Sequence, residues 1–386
     1  MRIVYLYTAV CTMGGVDRIL TTKANYLAEQ PGYEVYIITD SQCGQPFTFP
    51  LSNKVKHIDL ALDFGRQYTY SLPGRFFYYL TRMRTFKKKL SRLLTELQPD
   101  ITISTLGREM DFLPSLHDGS IKMGETHAPK QFCRNFHLME QRGGIHRLMA
   151  KYWRRKQEAA VRKLDALVVL TQNDAESWKS VKPAYIFPNP ITLRPAAPCD
   201  YNAKRILSVG RLTGEKGYDL LIQAWAEVVQ KYPDWHLTVY GEGELHDALQ
   251  QQIRMQGVEA SFTLHTPVPH IEEEMARHSL FVLSSRFEGF GLVLIEAMTC
   301  GLPVVSFDCP HGPREIIAPE KDGLLVPRED PHALAEAMMH LMEDAELRRQ
   351  MGEQGQKDIQ RYAIDTIMGR WMQLFESLRS KNHKPI

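Results

Sequence analysis

No stretch of the 386-residue sequence offers the roughly 18 consecutive apolar residues that a membrane-spanning helix needs, so no span is predicted. The opening MRIVYLYTAV is too short an apolar run for a secretory signal and reads instead as a first strand. The six cysteines (Cys11, Cys43, Cys133, Cys199, Cys300, Cys309) show neither CxxC spacing nor paired periodicity. That excludes a disulfide framework and suits reduced thiols in a cytoplasm. No Asp-x-Asp occurs, and no His, Cys and carboxylate set has ligand spacing, so neither a metal nor another cofactor is expected. Internal repeats and low-complexity tracts are also missing, which removes solenoid and fibrous architectures. What remains is ordinary globular composition, 44% hydrophobic and 24% charged, in a chain long enough for two cores.

Charge is unevenly spread. Residues 1–195 carry 28 Lys+Arg against 17 Asp+Glu, a net of +11, and the remainder carries 19 against 28, a net of −9. A basic half joined to an acidic half implies different partners for each. Along the chain, short β-branched runs alternate with segments of helical period. RIVYLY, EVYIIT, VKHIDL, DITIST, IKMGET and DALVVLT read as strands, with amphipathic helices over Arg18–Glu29, Arg75–Leu97 and Ile145–Lys163. Between Phe187 and Asn202 four prolines break the pattern, as in a linker. The alternation restarts with RILSVG, HLTVYG, SFTLH, SLFVLSS, LPVVSF and GLLVP, and Pro331 opens a largely helical tail. This predicts an α/β fold of two Rossmann-like domains with parallel sheets facing across a cleft. The expected division is 1–188, a linker over 189–203, a second domain over 204–362, and a helix over 363–386 packing back toward the first domain.

Two glycine turns carry the chemistry. In SSRFEGFGLVLIEAMTCGLPVVS a buried strand runs into Glu288-Gly289-Phe290-Gly291 and then a helix starting near Leu292. A helix start offers free N–H groups and a positive dipole end, suited to phosphate. The two glycines let the backbone approach a ligand and take positive φ. Glu288 precedes this helix and Glu296 lies within it, so the two carboxylates could grip opposite ends of one extended ligand. The second turn, SVGRLTGEKGYDLLIQAW, places Arg211 and Lys216 at another strand end, where two cations would clamp a diphosphate. Solvated surface cations are the plainer alternative.

Taken in order, GRLTGEKG, EGFGLVLIE with its two glutamates separated by seven other residues, GLPVVSFDCPHGPREII and DGLLVP resemble the family-4 retaining glycosyltransferases of the GT-B fold. The similarity is densest over 206–327. It implies that Arg211 and Lys216 neutralise the diphosphate of a nucleotide-sugar donor. Glu288, with Gly289 and the N–H groups of Phe290, Gly291 and Leu292, would hold the donor sugar and phosphate, and Glu296 the ribose. Gly15, in the Gly14-Gly15 pair after the first strand, resembles the family's glycine loop, though such a pair is also a common tight turn. His127 in MGETHAP matches a histidine facing the reacting sugar, or is a structural residue at a strand end. The resemblance implies transfer of a hexose or N-acetylhexosamine, from a UDP-sugar by family frequency, without metal. A sugar-nucleotide epimerase of the same fold and a non-catalytic nucleotide-sugar-binding protein are the alternatives.

The basic half has one further signal. Residues 64–95 contain eight Lys/Arg, eight aromatics and no Asp or Glu. Cations interleaved with rings suit an anionic membrane surface. Nothing else in the chain favours nucleic acid, and the alternative is a helix with Phe76, Phe77, Leu80 and Met83 in the core. The expected setting is the inner face of the cytoplasmic membrane, with a glycan or polyprenyl-diphosphate-linked acceptor for bacterial surface polysaccharide.

Overall fold

The computed structural model describes residues 1–382. They form two compact units: Met1–Pro188 with the chain from Asp365 onward, and Asn189–Ile364.

In the first unit, β1 (Arg2–Tyr7), β2 (Glu34–Thr39), β3 (Val55–Asp59), β4 (Ile101–Ser104), β5 (Ile121–Glu125), β6 (Ala166–Val169) and β7 (Tyr185–Ile186) build one sheet. Its order is β3-β2-β1-β4-β5-β6-β7 and every pairing is parallel. The central strands are buried throughout, β4 as ITIS and β6 as ALVV, because helices cover both faces of a parallel sheet. The predicted helices form over Gly15–Glu29, Leu72–Leu97 and Gly144–Arg162. The second begins before Arg75 because Pro73 sits in its first turn, where a missing N–H costs nothing. Its core face is Phe86, Leu90 and Leu94, while Phe76, Phe77 and Leu80 are exposed and so form no core face.

The last helix, Ile364–Asn382, belongs to this first unit. Trp371 meets Phe187 edge-on at 5.3 Å, Arg370 donates to the Ile186 carbonyl at 2.6 Å, and Asp365 accepts from the Tyr26 hydroxyl at 2.9 Å.

The second unit holds β8 (Arg205–Val209), β9 (His236–Tyr240), β10 (Phe262–His265), β11 (Leu280–Leu283), β12 (Val304–Phe307) and β13 (Gly323–Val326). They too are all parallel, in the order β10-β9-β8-β11-β12-β13. This is the doubly wound arrangement, whose order reverses between β8 and β11 and so opens a ligand crevice at their C-terminal ends. Trp225, Leu237, Val282 and Met338 sit in its core. The tail helix starts at Pro331 as expected, with the Asp330 carboxylate accepting from the Ala333 N–H at 3.0 Å.

The proline-rich stretch 189–203 packs on this second unit rather than hanging free. Ile191 N–H bonds the Tyr362 carbonyl at 2.9 Å, and the Tyr201 hydroxyl bonds that of Gly301 at 2.9 Å.

Candidate active site

The two glycine turns lie at the C-terminal ends of the neighbouring strands β8 and β11, and several bonds lock them together. The Arg286 N–H donates to the Glu215 carbonyl at 2.8 Å, its guanidinium to the Gly214 carbonyl at 2.8 Å, and the Ser284 hydroxyl to the Lys216 carbonyl at 2.9 Å. The Arg286 guanidinium also forks onto both oxygens of Asp219, at 2.8 and 2.7 Å, in the first turn of the Tyr218–Lys231 helix. Gly217 makes this approach possible. It has φ +63°, and a Cβ there would lie 2.1 Å from the Ser284 carbonyl oxygen.

The locked turns bring Lys216 and Glu288 together. The Lys216 ammonium donates to Glu288 Oε1 at 2.7 Å, and the Ser285 hydroxyl to the same oxygen at 2.6 Å. Both charged groups are largely shielded from water, which strengthens their attraction. Arg211 is placed differently. It donates to Glu215 Oε1 at 2.8 Å and its side chain is 70% exposed. Of the two expected clamp cations, Lys216 is therefore built into the site and Arg211 stands at its margin.

Glu288 leads into Gly289, Phe290 and the Leu292–Thr299 helix, whose cap Gly291 is the glycine of this pair that takes positive φ, +92°. The first N–H groups of that helix have no intrahelical partner, so the helix start is ready for an anion. One turn beyond, Glu296 is buried and accepts from the Thr192 hydroxyl at 2.9 Å. The two glutamates thus have separate surroundings, one bonded to a cation and a serine, the other to a threonine. Nearby, burial and then the Glu288 carboxylate push the Cys309 thiol up to about 12, so it stays a neutral thiol and is no nucleophile.

The first unit contributes a second cluster at the C-terminal edge of its own sheet. Gly15 opens the Gly15–Glu29 helix, and Asp17 in that helix ties down the preceding loop. Its carboxylate accepts from the Tyr7 hydroxyl at 2.7 Å and from the Thr12 N–H at 2.7 Å. Just past β5, His127 Nε2 lies 3.5 Å from Glu125 Oε1, which also accepts from the Lys23 ammonium at 2.6 Å. The Trp371 ring closes over Lys23 at 3.5 Å. Burial holds the His127 imidazolium below its ordinary range, opposed by Glu125 and reinforced by Lys23. A neutral imidazole follows, able to bond a hydroxyl without adding charge.

Lys23 and Glu125 are both almost fully buried, and removing one partner of such a pair strands the other charge. Lys23→Met is therefore expected to destabilise the first unit by about 3–5 kcal/mol, read as a fall in the denaturation midpoint. An unchanged midpoint would mean that this pair does not hold the edge of β5.

Sequence reasoning named Lys216, Arg211, Glu288, Glu296, His127 and Gly15 but not the residues bonded around them, Ser284, Ser285, Arg286, Asp219, Thr192, Lys23 and Glu125. The serine run before Glu288 was the one available signal, since small hydroxyl residues at a strand end can bond a neighbouring carboxylate.

Comparison with known proteins relates part of the chain to a family. Residues 192–358 match the family described as Glycosyl transferases group 1. The chain is 30% identical over 413 aligned positions to an exopolysaccharide phosphotransferase of Streptomyces coelicolor; the match covers 100% of the chain but spans only 42% of that relative. It is 36% identical over 146 residues to N-acetylgalactosamine-N,N'-diacetylbacillosaminyl-diphospho-undecaprenol 4-alpha-N-acetylgalactosaminyltransferase of Campylobacter jejuni, covering 38% of the chain and 39% of that relative. Among solved structures it resembles TarM of S. aureus, in complex with Fondaparinux, alpha-GlcNAc-glycerol and UDP, with TM-score 0.79 at 16% identity over 97% of this chain and 99% of that one. The two doubly wound sheets thus give the chain the GT-B fold, and residues 192–358, within its second unit, match the group 1 glycosyltransferases.

Proposed function

We propose that the chain is a retaining glycosyltransferase that moves a hexose or N-acetylhexosamine from a UDP-sugar to a lipid-linked glycan in bacterial surface polysaccharide synthesis. The observation that carries this reading is the Lys216–Glu288 pair, held where two glycine turns meet beside a helix start. Lys216 and the helix N–H groups face the diphosphate and stabilise the charge that grows on it as the bond from sugar C1 to phosphate oxygen breaks. Glu288 orients the sugar hydroxyls and Glu296 holds the ribose. The acceptor oxygen bonds to C1 on the face that the diphosphate leaves, and its proton passes to the departing phosphate oxygen. His127, a neutral imidazole at a strand edge of the first unit, has the chemistry to bond a sugar hydroxyl.

UDP and a lipid-linked acceptor are supported by analogy, since one similar structure contains UDP and one relative is named for an undecaprenol-linked substrate. Among the described residues no helix is long and apolar enough to cross a membrane. The exposed cations Lys87, Lys88 and Lys89 on the Leu72–Leu97 helix suit the anionic headgroups of the inner leaflet.

Transfer is expected to proceed without a metal ion, with Lys216 and the helix start supplying the positive charge that the diphosphate needs. Turnover is expected to survive excess EDTA in a coupled assay of UDP release. Loss of activity in EDTA, with recovery on adding Mg²⁺ or Mn²⁺, would replace the electrostatic account given to Lys216.

A further inference from the structure

Among the described residues, every exposed large hydrophobic side chain except Met255 belongs to the first unit. One group is unusual in its order. Ile145, Leu148, Met149 and Tyr152, in the first turns of the Gly144–Arg162 helix, have the spacing i, i+3, i+4, i+7 and so line one face. A stripe of this kind ordinarily turns into a core. Here it faces outward, at 69, 67, 45 and 62% exposure, and the buried face is made by Ala150, Gln157 and Val161.

Its place in the fold follows from connectivity. The helix leads into β6, and the Asp165 N–H bonds the Lys122 carbonyl, so its C-terminus lies level with the start of β5. Nineteen helical residues rise about 28 Å, whereas the five of β5 extend only about 17 Å. The first turns therefore overshoot the C-terminal edge of the sheet, the edge that carries Gly15 and His127. By the same connectivity the exposed Phe76, Phe77 and Leu80 open the helix that follows β3.

The charges select the occupant. From Gln141 to Gln157 there is no Asp or Glu, and Arg142, Arg147, Lys151 and Arg155 are exposed around the stripe. A second copy docking through this face would bring like charges together. Nucleic acid would meet the cations but leave three aliphatic side chains unused. An anionic bilayer interface takes both, rings and aliphatic chains entering the boundary while cations meet headgroups. We infer that Ile145, Leu148, Met149 and Tyr152 insert into an anionic lipid interface, anchoring the His127 edge of the first unit against the membrane. The inference deepens the proposed function, resting on its membrane-bound acceptor, and names an insertion element distinct from the Lys87–Lys89 cluster.

The test is co-sedimentation of the full chain with vesicles of phosphatidylcholine and phosphatidylglycerol, without donor or acceptor. All three residues replaced in Ile145→Ser/Leu148→Ser/Met149→Ser are exposed, and an unchanged denaturation midpoint confirms folding. The wild type is expected to keep part of its binding at high salt, where exposed charges are screened within ~3 Å. The serine variant is expected to lose that salt-resistant part, its partitioning falling by about tenfold or more. A Lys87/Lys88/Lys89→Glu variant should lose the salt-sensitive part instead. If the serine variant partitions as the wild type does, the stripe does not insert. A lipid-free wild-type dimer that the substitutions dissociate would assign the stripe to self-association and overturn the inference. Wild type that stays in the supernatant at low salt would sink both this inference and membrane docking, while leaving sugar transfer itself untouched.

Discussion

Lys216→Ala is expected to lower kcat/KM for the nucleotide sugar by about 10²–10³-fold, the usual cost of removing one preorganised group that faces developing charge. The substitution shortens a side chain whose ammonium reaches Glu288 across two locked turns, so the backbone bonds of Ser284 and Arg286 should keep the fold intact. Arg211→Ala should have a smaller effect, because that guanidinium is mostly solvated and already shares its charge with Glu215. Glu288→Gln should separate binding from turnover. It removes the charge that holds Lys216, leaving the ammonium free for the diphosphate, so UDP should bind about fivefold more tightly, equivalent to ~1 kcal/mol. Turnover should fall steeply, because the amide cannot orient the sugar as the carboxylate does. Titration with UDP alongside steady-state kinetics reads both changes. Weaker UDP binding by the Gln variant would show that Glu288 itself contacts the nucleotide, contrary to the role given to it.

Glu296→Gln carries the second large effect, on affinity rather than rate. A buried carboxylate that hydrogen-bonds a ribose contributes about 1.5–3 kcal/mol, roughly a ten- to hundredfold change in the UDP dissociation constant. Thr192→Val tests how the carboxylate is positioned, since the Thr192 hydroxyl donates to Glu296 Oε1 at 2.9 Å. Its expected cost is smaller, because the glutamate survives with one orienting bond fewer. If Glu296→Gln binds UDP as tightly as the wild type, the ribose lies elsewhere.

How far the sequence reveals this site depends on whether the interaction is local. Glu288, Gly291 and Glu296 lie within one strand–turn–helix unit, where helical rise and glycine placement constrain position, and the structure keeps that unit intact. Lys216 was legible for the same reason. Arg211 looked equivalent to it on the page, but the fork to Glu215 turns it outward. The partners of Glu288 and Glu296 were not legible, because Lys216 lies 72 residues from Glu288 and Thr192 lies 104 from Glu296. Only the sheet order that sets β8 beside β11 brings the first pair together. Lys23 shows the same limit, since a lysine on an amphipathic helix reads as solvated until Trp371 closes over it. Helical period also reveals that an apolar face exists without saying which way it turns. Phe76 and Phe77 therefore read equally as core or surface, and the Ile145–Tyr152 stripe passed without notice.

The central claim is sugar transfer with retention at the Lys216–Glu288 site, and water can stand in slowly for the acceptor hydroxyl. Following a UDP-sugar by proton NMR with the protein and EDTA, without added acceptor, tests that claim directly. The account predicts UDP and free sugar appearing together, the sugar first in the anomeric form it had in the donor, and neither appearing with Lys216→Ala. A sugar released first as the opposite anomer would contradict retention, and an epimerised donor with no sugar released would make the chain an epimerase instead.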